Sequence, residues 1–170
     1  HRDFERVVVL SAFAESRRLE RTGLASERAL DLVDEELGFG RQLTTAEIVL
    51  QFALARHFAP QGAPARNVVF MGMGEPLANY DRTWEAVHRI HDDLGIGARH
   101  LTLSTVGIIP GIRRLAEADL PVNLAVSLHV ANDAERDVLV PINRRYPLAD
   151  LADACAEYVA ATHRRLSFEW

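Results

Sequence analysis

The amino-acid sequence predicts an α/β fold, in which parallel strands and helices form a partial, incomplete β/α barrel. From residue 67 onward, short apolar runs alternate with amphipathic segments over short links, which is typical of parallel β/α architecture. The three central runs all end in glycine or polar residues, at the strand ends where such folds bind ligands. Only four strands are distinct in the pattern, too few to close a barrel, so the domain is expected to be incomplete at its C-terminal side.

Composition narrows the possible classes of protein. The chain has 170 residues, of which 48% are hydrophobic, enough for one domain with a core. Its formal net charge of -5 argues against a free-standing nucleic-acid binder and against a DNA partner. No apolar run is long enough for a membrane span, and no signal peptide is recognisable. A single cysteine excludes an internal disulfide. We therefore expect a cytoplasmic protein without a membrane partner.

The elements before residue 67 are predicted from short local signals. Residues 7–10 are apolar and β-branched and are compatible with a short strand. Ser26 can cap a helix that runs to about Leu37. Thr44 and Glu47 have the spacing of a capping box, which predicts a second helix to about Phe58. Residues 59–64 are predicted to form a loop.

The elements after residue 67 follow the alternating pattern. Pro110 is well placed at the start of a helix, and Gly95 at the end of another. Residues 141–143 are expected to form only a loop, with an asparagine that ties down a turn. The predicted strands are residues 67–71, 101–105, 122–129 and 166–170, and the predicted helices are residues 81–94, a segment from 110 with Ile112 and Leu115 inward, and 148–163.

The first candidate site is the strand end at residues 70–76 (FMGMGEP). Gly72 and Gly74 would let a ligand approach the backbone closely, because they carry no side chain. Glu75 offers a carboxylate that can accept hydrogen bonds from a cationic amine. A glycine turn followed by an exposed acid explains the same residues equally well, because a short glycine pattern is a weak motif.

Two further strand ends carry polar candidates. The hydroxyl of Ser104 can either contact a ligand or tie down the next turn, and the local pattern favours the turn. Ser127 and His129 are two residues apart on a predicted strand and would share a face, while Leu128 would contribute mainly its backbone. From the local sequence alone, His129 is interpreted as a partly buried, hydrogen-bonded histidine.

Three other residues with reactive side chains are interpreted as structural. His88 and His91 have the i, i+3 spacing of a metal-binding pair, but no second ligand cluster accompanies them, so they are expected to face solvent. Cys155 lies on the apolar stripe of the last predicted helix and is expected to be a buried, inert thiol.

Six segments, taken together, carry a resemblance to a known family. They are residues 38–48 (GFGRQLTTAEI), 70–77 (FMGMGEPL), 103–110 (LSTVGIIP), 124–129 (LAVSLH), 140–148 (VPINRRYPL) and 168–170 (FEW). In this order and at this spacing, the chain resembles the RlmN/Cfr family of radical S-adenosylmethionine (SAM) enzymes over roughly residues 36–170. These enzymes methylate an adenine carbon, C2 or C8, in 23S rRNA, and some also act on tRNA.

The resemblance implies a partial β/α barrel of the radical SAM type, with SAM bound across the strand ends. Gly74 and Glu75 match the motif that contacts the methionine end of SAM. Ser104 matches a further SAM contact, and Ser127, Leu128 and His129 match another. The implied partners are 23S rRNA and tRNA, and the implied cofactors are SAM and a 4Fe-4S cluster.

One family feature is missing from the sequence. The family carries a Cys-x3-Cys-x2-Cys loop just before the segment at residue 38, and its three thiolates hold the cluster. Residues 1–35 contain no cysteine, and no RNA-binding region is recognisable. We therefore expect residues 1–35 to be an unmatched segment and residues 36–170 to be a truncated radical SAM domain. Without thiolates no cluster forms, so the chain alone is expected to lack the reaction.

Two other functions remain open from the sequence. The chain could be a non-catalytic remnant that binds SAM or a partner, which needs only the polar strand ends. An unrelated β/α-barrel hydrolase or isomerase would need an acid/base pair at the strand ends, for which Glu75 and His129 are the only candidates.

Overall fold

A parallel five-stranded sheet forms the centre of the protein. The computed structural model describes residues 6–10, 13–14, 41–60, 64–71 and 74–170. Its strands are β1 (Arg6–Leu10), β4 (Ala65–Phe70), β5 (Leu101–Thr105), β6 (Asn123–Ser127) and β7 (Leu166–Glu169). They lie in the order β1-β4-β5-β6-β7, and all four pairings are parallel. The predicted parallel α/β fold is confirmed, and the sheet is open, as expected for a partial barrel.

Five helices and a short ribbon complete the described part of the chain. The ribbon pairs β2 (Phe13–Ala14) with β3 (Arg41–Gln42) in antiparallel fashion. The helices are α1 (Thr45–His57), α2 (Tyr80–Asp92), α3 (Ile109–Ala116), α4 (Asp133–Leu139) and α5 (Leu148–Thr162). Single 3-10 turns occupy residues Pro76–Asn79, Ala98–His100 and Pro141–Arg144.

The first helix begins where its capping box predicts. The hydroxyl of Thr44 accepts a hydrogen bond from the backbone N–H of Glu47 at 3.3 Å, and the Glu47 carboxylate accepts from the backbone N–H of Thr44 at 2.9 Å. Arg41 also pairs with Glu47, and together these contacts lower the pKa of that carboxyl to about 2. The same glutamate therefore caps α1 and holds the end of the β2–β3 ribbon against it.

The core lies between the sheet and the helices, which pack in pairs. Helix α1 packs against α2 and β1, and α3 packs against α5. Consecutive residues of β5 and β6 are buried, the pattern of strands that are covered on both faces. Helices α1, α2, α3 and α5 contribute fully or almost fully buried apolar side chains to this core, such as Phe52 on α1, Ile90 on α2, Ile112 on α3 and Tyr158 on α5.

Several elements differ from their predicted bounds. The strand at residues 7–10 is real and pairs with β4, so the sheet has five strands rather than four. The third predicted strand ends at Ser127 instead of residue 129, because the backbone turns at His129, which has φ of 62°. Helix α4 was not predicted, and the expected loop at residues 141–143 is a 3-10 turn. The predicted helix at residues 26–37 lies outside the described residues.

The residues interpreted as structural are indeed engaged with the fold. Cys155 is buried, and burial raises the pKa of its thiol to about 11. His88 and His91 are half-buried rather than solvent-facing, because His88 lies beside Asp119 and the His91 ring bonds the carbonyl oxygen of Ile96 at 2.7 Å. The described ranges contain no group of three or more histidine, cysteine, aspartate or glutamate residues that could hold a metal ion. None of the helices described is long and apolar enough to cross a membrane.

Candidate functional site

A cleft of about 210 Å³ opens at the carboxyl ends of β4, β5 and β6. Parallel pairing places these three strand ends side by side at one edge of the sheet, which is why residues far apart in sequence meet there. Four of the predicted site residues line the cleft. The full lining is Met71, Gly74, Glu75, Pro76, Ser104, Thr105, Val106 and Ser127.

Gly74 forms the outer lip of the cleft. It is exposed and has φ of 97°, a backbone conformation that residues with a side chain rarely adopt. The positive φ explains why glycine occupies this position in the turn. Because Gly74 has no side chain and is exposed, a ligand can approach its backbone.

Glu75 joins the end of β4 to the end of β5. One carboxylate oxygen accepts a hydrogen bond from the backbone N–H of Leu77 at 2.9 Å, and the other accepts from Val106 N–H at 2.7 Å. The hydroxyl of Thr105 also contacts the carboxylate. Burial raises the pKa of Glu75 above its usual value, and these hydrogen bonds oppose the rise.

The Glu75 carboxylate is thus not a spare exposed acid. It caps the 3-10 turn at Pro76–Asn79 and fixes the loop after β5. Each carboxylate oxygen has two lone pairs, so Glu75 can accept a further hydrogen bond from a cationic donor in the cleft.

Two serine hydroxyls form the floor of the cleft. Ser104 on β5 is buried, and Ser127 at the end of β6 is half-buried. Their Oγ atoms lie 3.5 Å apart. The Ser127 hydroxyl donates to the Glu169 carboxylate on β7 at 3.2 Å, which leaves the Ser104 hydroxyl as the donor that can turn toward a ligand.

Leu128 and His129 do not line this cleft. Their backbone N–H groups donate to the carbonyl oxygen of Glu169 at 2.9 and 3.1 Å and continue the pairing with β7. The His129 side chain is exposed. The expectation that His129 is partly buried and shares a face with Ser127 is wrong, because the positive φ of His129 ends the strand alternation between them.

Arg136 on α4 holds two loops that border the cleft, and no sequence pattern indicated this role. It is 0% exposed, yet it has no carboxylate partner within ion-pair distance among the residues described. Its guanidinium donates to the carbonyl oxygens of Val106 at 2.6 Å, Leu128 at 3.1 Å and Ser127 at 3.3 Å. One buried side chain therefore ties together the loops after β5 and β6.

Asn143 positions Arg136 and has a larger role than the turn predicted for it. Its side-chain oxygen accepts from Arg136 at 2.8 Å, and its amide donates to Asp133 at 2.9 Å and to Asp137 at 2.7 Å. The only sequence signal of this network was the segment at residues 140–148, which contains the asparagine but not the arginine.

The residues present do not fit an iron–sulfur cluster. The cluster that the resemblance implies is held by three cysteine thiolates, whereas the sequence contains one cysteine. Cys155 lies buried on α5, is not among the residues that line the cleft, and has a raised pKa that disfavours the thiolate. The cleft itself fits the polar end of an amino-acid-like ligand, because it combines an acid, a buried hydroxyl and a bare glycine backbone.

Comparisons with known proteins identify the family. A profile of the radical SAM superfamily matches residues 25–168. A probable dual-specificity RNA methyltransferase RlmN of Chloroflexus aurantiacus is 53% identical over 143 residues, which cover 79% of this chain and 38% of that protein. A dual-specificity RNA methyltransferase RlmN 1 of Myxococcus xanthus is 53% identical over 138 residues, which cover 79% of this chain and 38% of that protein.

The structural comparison agrees with the sequence comparison. The crystal structure of a radical SAM methyltransferase from Sphaerobacter thermophilus superposes with a TM-score of 0.75 at 46% identity, covering 78% of this chain and 40% of that one. The chain therefore spans well under half the length of these relatives. With a superfamily match over most of its residues, the chain belongs to the radical SAM superfamily and, within it, to the RlmN/Cfr-type family.

Proposed function

We propose that this chain is the SAM-binding part of an enzyme that methylates an adenine carbon in 23S rRNA and tRNA. The observation that carries the proposal is the cleft in which Gly74, Glu75, Ser104 and Ser127 meet at the strand ends. The relatives are named dual-specificity RNA methyltransferases, which supports an RNA substrate. The finer assignment to 23S rRNA and tRNA rests on the family resemblance.

Each residue of the cleft has a role toward SAM in this proposal. The free lone pairs of Glu75 accept hydrogen bonds from the ammonium group of the methionine end, and Gly74 lets that end approach its backbone. Ser104 donates its hydroxyl to the ligand. Ser127, held by Glu169, lies beside Ser104 on the floor of the cleft, while Leu128 and the exposed His129 contact the part of SAM that extends beyond the cleft.

We further propose that the 170 residues bind SAM without transforming it. In the intact family, the 4Fe-4S cluster supplies the electron that cleaves SAM, and this chain offers one buried cysteine in place of three ligands. Anaerobic reconstitution with iron and sulfide is expected to leave the protein without a stoichiometric 4Fe-4S absorption band. A stoichiometric band, or methylated RNA produced by this polypeptide alone, would contradict the proposal.

SAM affinity is expected to depend on pH through Glu75. Burial raises the pKa of this carboxyl above its usual value of 4.5, and the charged carboxylate binds an ammonium group more strongly than the neutral acid does. Affinity should therefore still be rising with pH above 4.5, until the α-amino group of SAM loses its proton at about pH 8. Isothermal titration calorimetry at several pH values measures this rise.

The matched variants are Glu75→Gln and Glu117→Gln, because Glu117 is an exposed glutamate at the end of α3. Glu75→Gln should weaken SAM binding about tenfold to a hundredfold and flatten the pH dependence, since a hydrogen bond to a charged group contributes roughly 1.5–3 kcal/mol. Glu117→Gln should bind as the unmodified chain does. Equal binding by both variants would refute the role of Glu75.

Absence of SAM binding at millimolar ligand would leave the partner-binding remnant as the better proposal. A hydrolase or isomerase is disfavoured, because it needs an acid/base pair in the cleft. Two backbone amides already bind Glu75, and His129 does not line the cleft.

A further inference from the structure

A second and larger cavity, of about 510 Å³, lies at the opposite edge of the sheet. Arg66 lies near the start of β4, and Arg99 and His100 directly precede β5. Arg164 precedes β7. Because all strands are parallel, these starts meet at the amino edge, away from the cleft described above. The volume is within the range of about 300–1,000 Å³ that is common for small-ligand sites.

Arg99 is held in place by its neighbour. Its Nε donates to Nε2 of His100 at 3.0 Å, and Nδ1 of His100 bonds the side-chain oxygen of Asn67 at 2.8 Å. The imidazole can accept from Arg99 only when it is neutral with its proton on Nδ1, so the chain Arg99–His100–Asn67 has one consistent direction. This contact uses Nε of Arg99, and within the described residues no hydrogen bond occupies its two terminal nitrogens, which can therefore bind a ligand.

Arg164 is held in a similar way. Its Nε donates to the carbonyl oxygen of Pro121 at 2.8 Å, and no hydrogen bond within the described residues occupies its terminal nitrogens. Arg66 is exposed at the rim. No aspartate or glutamate lines the cavity, and none of its three arginines forms an ion pair with the described residues.

The concentration of positive charge is unusual in this chain. The formal net charge is -5, and Arg41, Arg89, Arg113 and Arg114 all pair with carboxylates. Three guanidinium groups that form no ion pair with the described residues line one cavity, and the backbone beside them includes Gly95 and Gly97. The planar fork of an arginine matches the oxygens of a phosphate group in geometry and charge.

We propose that this cavity binds a phosphate-bearing anion through the terminal nitrogens of Arg66, Arg99 and Arg164. The phosphate can belong to a small molecule or to the backbone of an oligoribonucleotide, and both present the same oxygens to the fork. This proposal does not depend on SAM binding, because the cavity shares no residue with the cleft at the other edge.

The test uses pyrophosphate as the small probe and a short single-stranded oligoribonucleotide as the second probe, each titrated into the full chain. Heteronuclear NMR should show saturable shifts of the amide signals of Gly95, Gly97 and Arg99. Calorimetry gives the affinity, which should fall as salt is added because exposed charges are screened.

The variants are Arg66→Gln, Arg99→Gln and their combination, with Arg82→Gln as the matched control. Arg82 is exposed in the first turn of α2, at the carboxyl edge of the sheet. Its replacement by glutamine removes one positive charge, as each cavity variant does. Each cavity variant should weaken pyrophosphate binding about tenfold, the effect of losing one charge-assisted contact. Thermal unfolding measures whether the variants remain folded. We expect that they do, because neither side chain bonds the backbone of the described residues.

Either probe supports the site if it shifts these amides and the cavity variants weaken its binding while Arg82→Gln does not. Binding of both probes assigns the RNA backbone as a source of the phosphate, and binding of pyrophosphate alone assigns a small ligand. The proposal is overturned if neither probe shifts the amides at millimolar concentration, or if Arg82→Gln weakens binding as much as Arg99→Gln.

Discussion

Replacing Arg136 with methionine is expected to lower the free energy of unfolding by about 3–5 kcal/mol, because four acceptors lose a charged donor while the cost of burying the guanidinium offsets part of that loss. The side chain is fully buried and donates to three backbone carbonyl oxygens and to the side chain of Asn143. Methionine fills part of the volume but leaves these buried acceptors unsatisfied, at a cost of roughly 1–3 kcal/mol each. Urea unfolding measures the change.

Two controls separate the hydrogen bonds from the loss of charge. Arg144→Met removes an exposed arginine from the neighbouring 3-10 turn and should change stability by less than about 0.5 kcal/mol. Arg136→Lys keeps a charge but cannot reach loops on both sides at once, so it should recover only part of the loss. If Arg136→Met is as stable as the unmodified chain, the cost of burying the guanidinium equals what its contacts contribute.

Replacing Gly107 with alanine is expected to cost about 3 kcal/mol, because two unfavourable effects act on one methyl group. Gly107 has φ of 109°, which a residue with a side chain adopts only under strain. The added Cβ would also lie 3.1 and 3.2 Å from the two terminal carbons of Leu151 on α5. Since Val106 beside it is bonded by both Glu75 and Arg136, SAM binding should weaken as well.

Gly95→Ala is the matched control for Gly107→Ala. Gly95 also has a positive φ, 74°, but an added Cβ would meet nothing within 4 Å. Its variant should show the backbone strain alone, about 1–2 kcal/mol. If thermal or urea unfolding gives equal losses for the two glycines, the contact with Leu151 contributes nothing and the explanation for Gly107 is wrong.

Much of the fold could be predicted because its signals are local. The strand at Leu101–Thr105 has its predicted bounds, since an apolar run between polar turns leaves few alternatives. The start of α1 followed from Thr44 and Glu47 alone. The meeting of Glu75, Ser104 and Ser127 could be predicted because parallel pairing brings successive strand ends to one edge, whatever lies between them.

The other features of the fold and the site depend on tertiary contacts, which a local sequence pattern does not reveal. An arginine on a short polar helix looks like a surface residue, and only the fold shows that three carbonyl groups surround Arg136. The turn at His129 could not be predicted either, because its backbone bonds to β7, about forty residues later in the chain. The cavity lined by Arg66, Arg99 and Arg164 could not be predicted, because these residues are spread over almost 100 positions of the sequence.

The order of the strands has a consequence for synthesis. In the parallel sheet, each strand pairs with the strand that precedes it along the chain, from β1 through β4, β5 and β6 to β7. A chain that leaves the ribosome N-terminus first therefore has the edge it needs before each new strand emerges. None of these five strands needs a later strand as its first partner, and none has to insert between two strands that are already paired. The sheet can therefore assemble in the direction of translation.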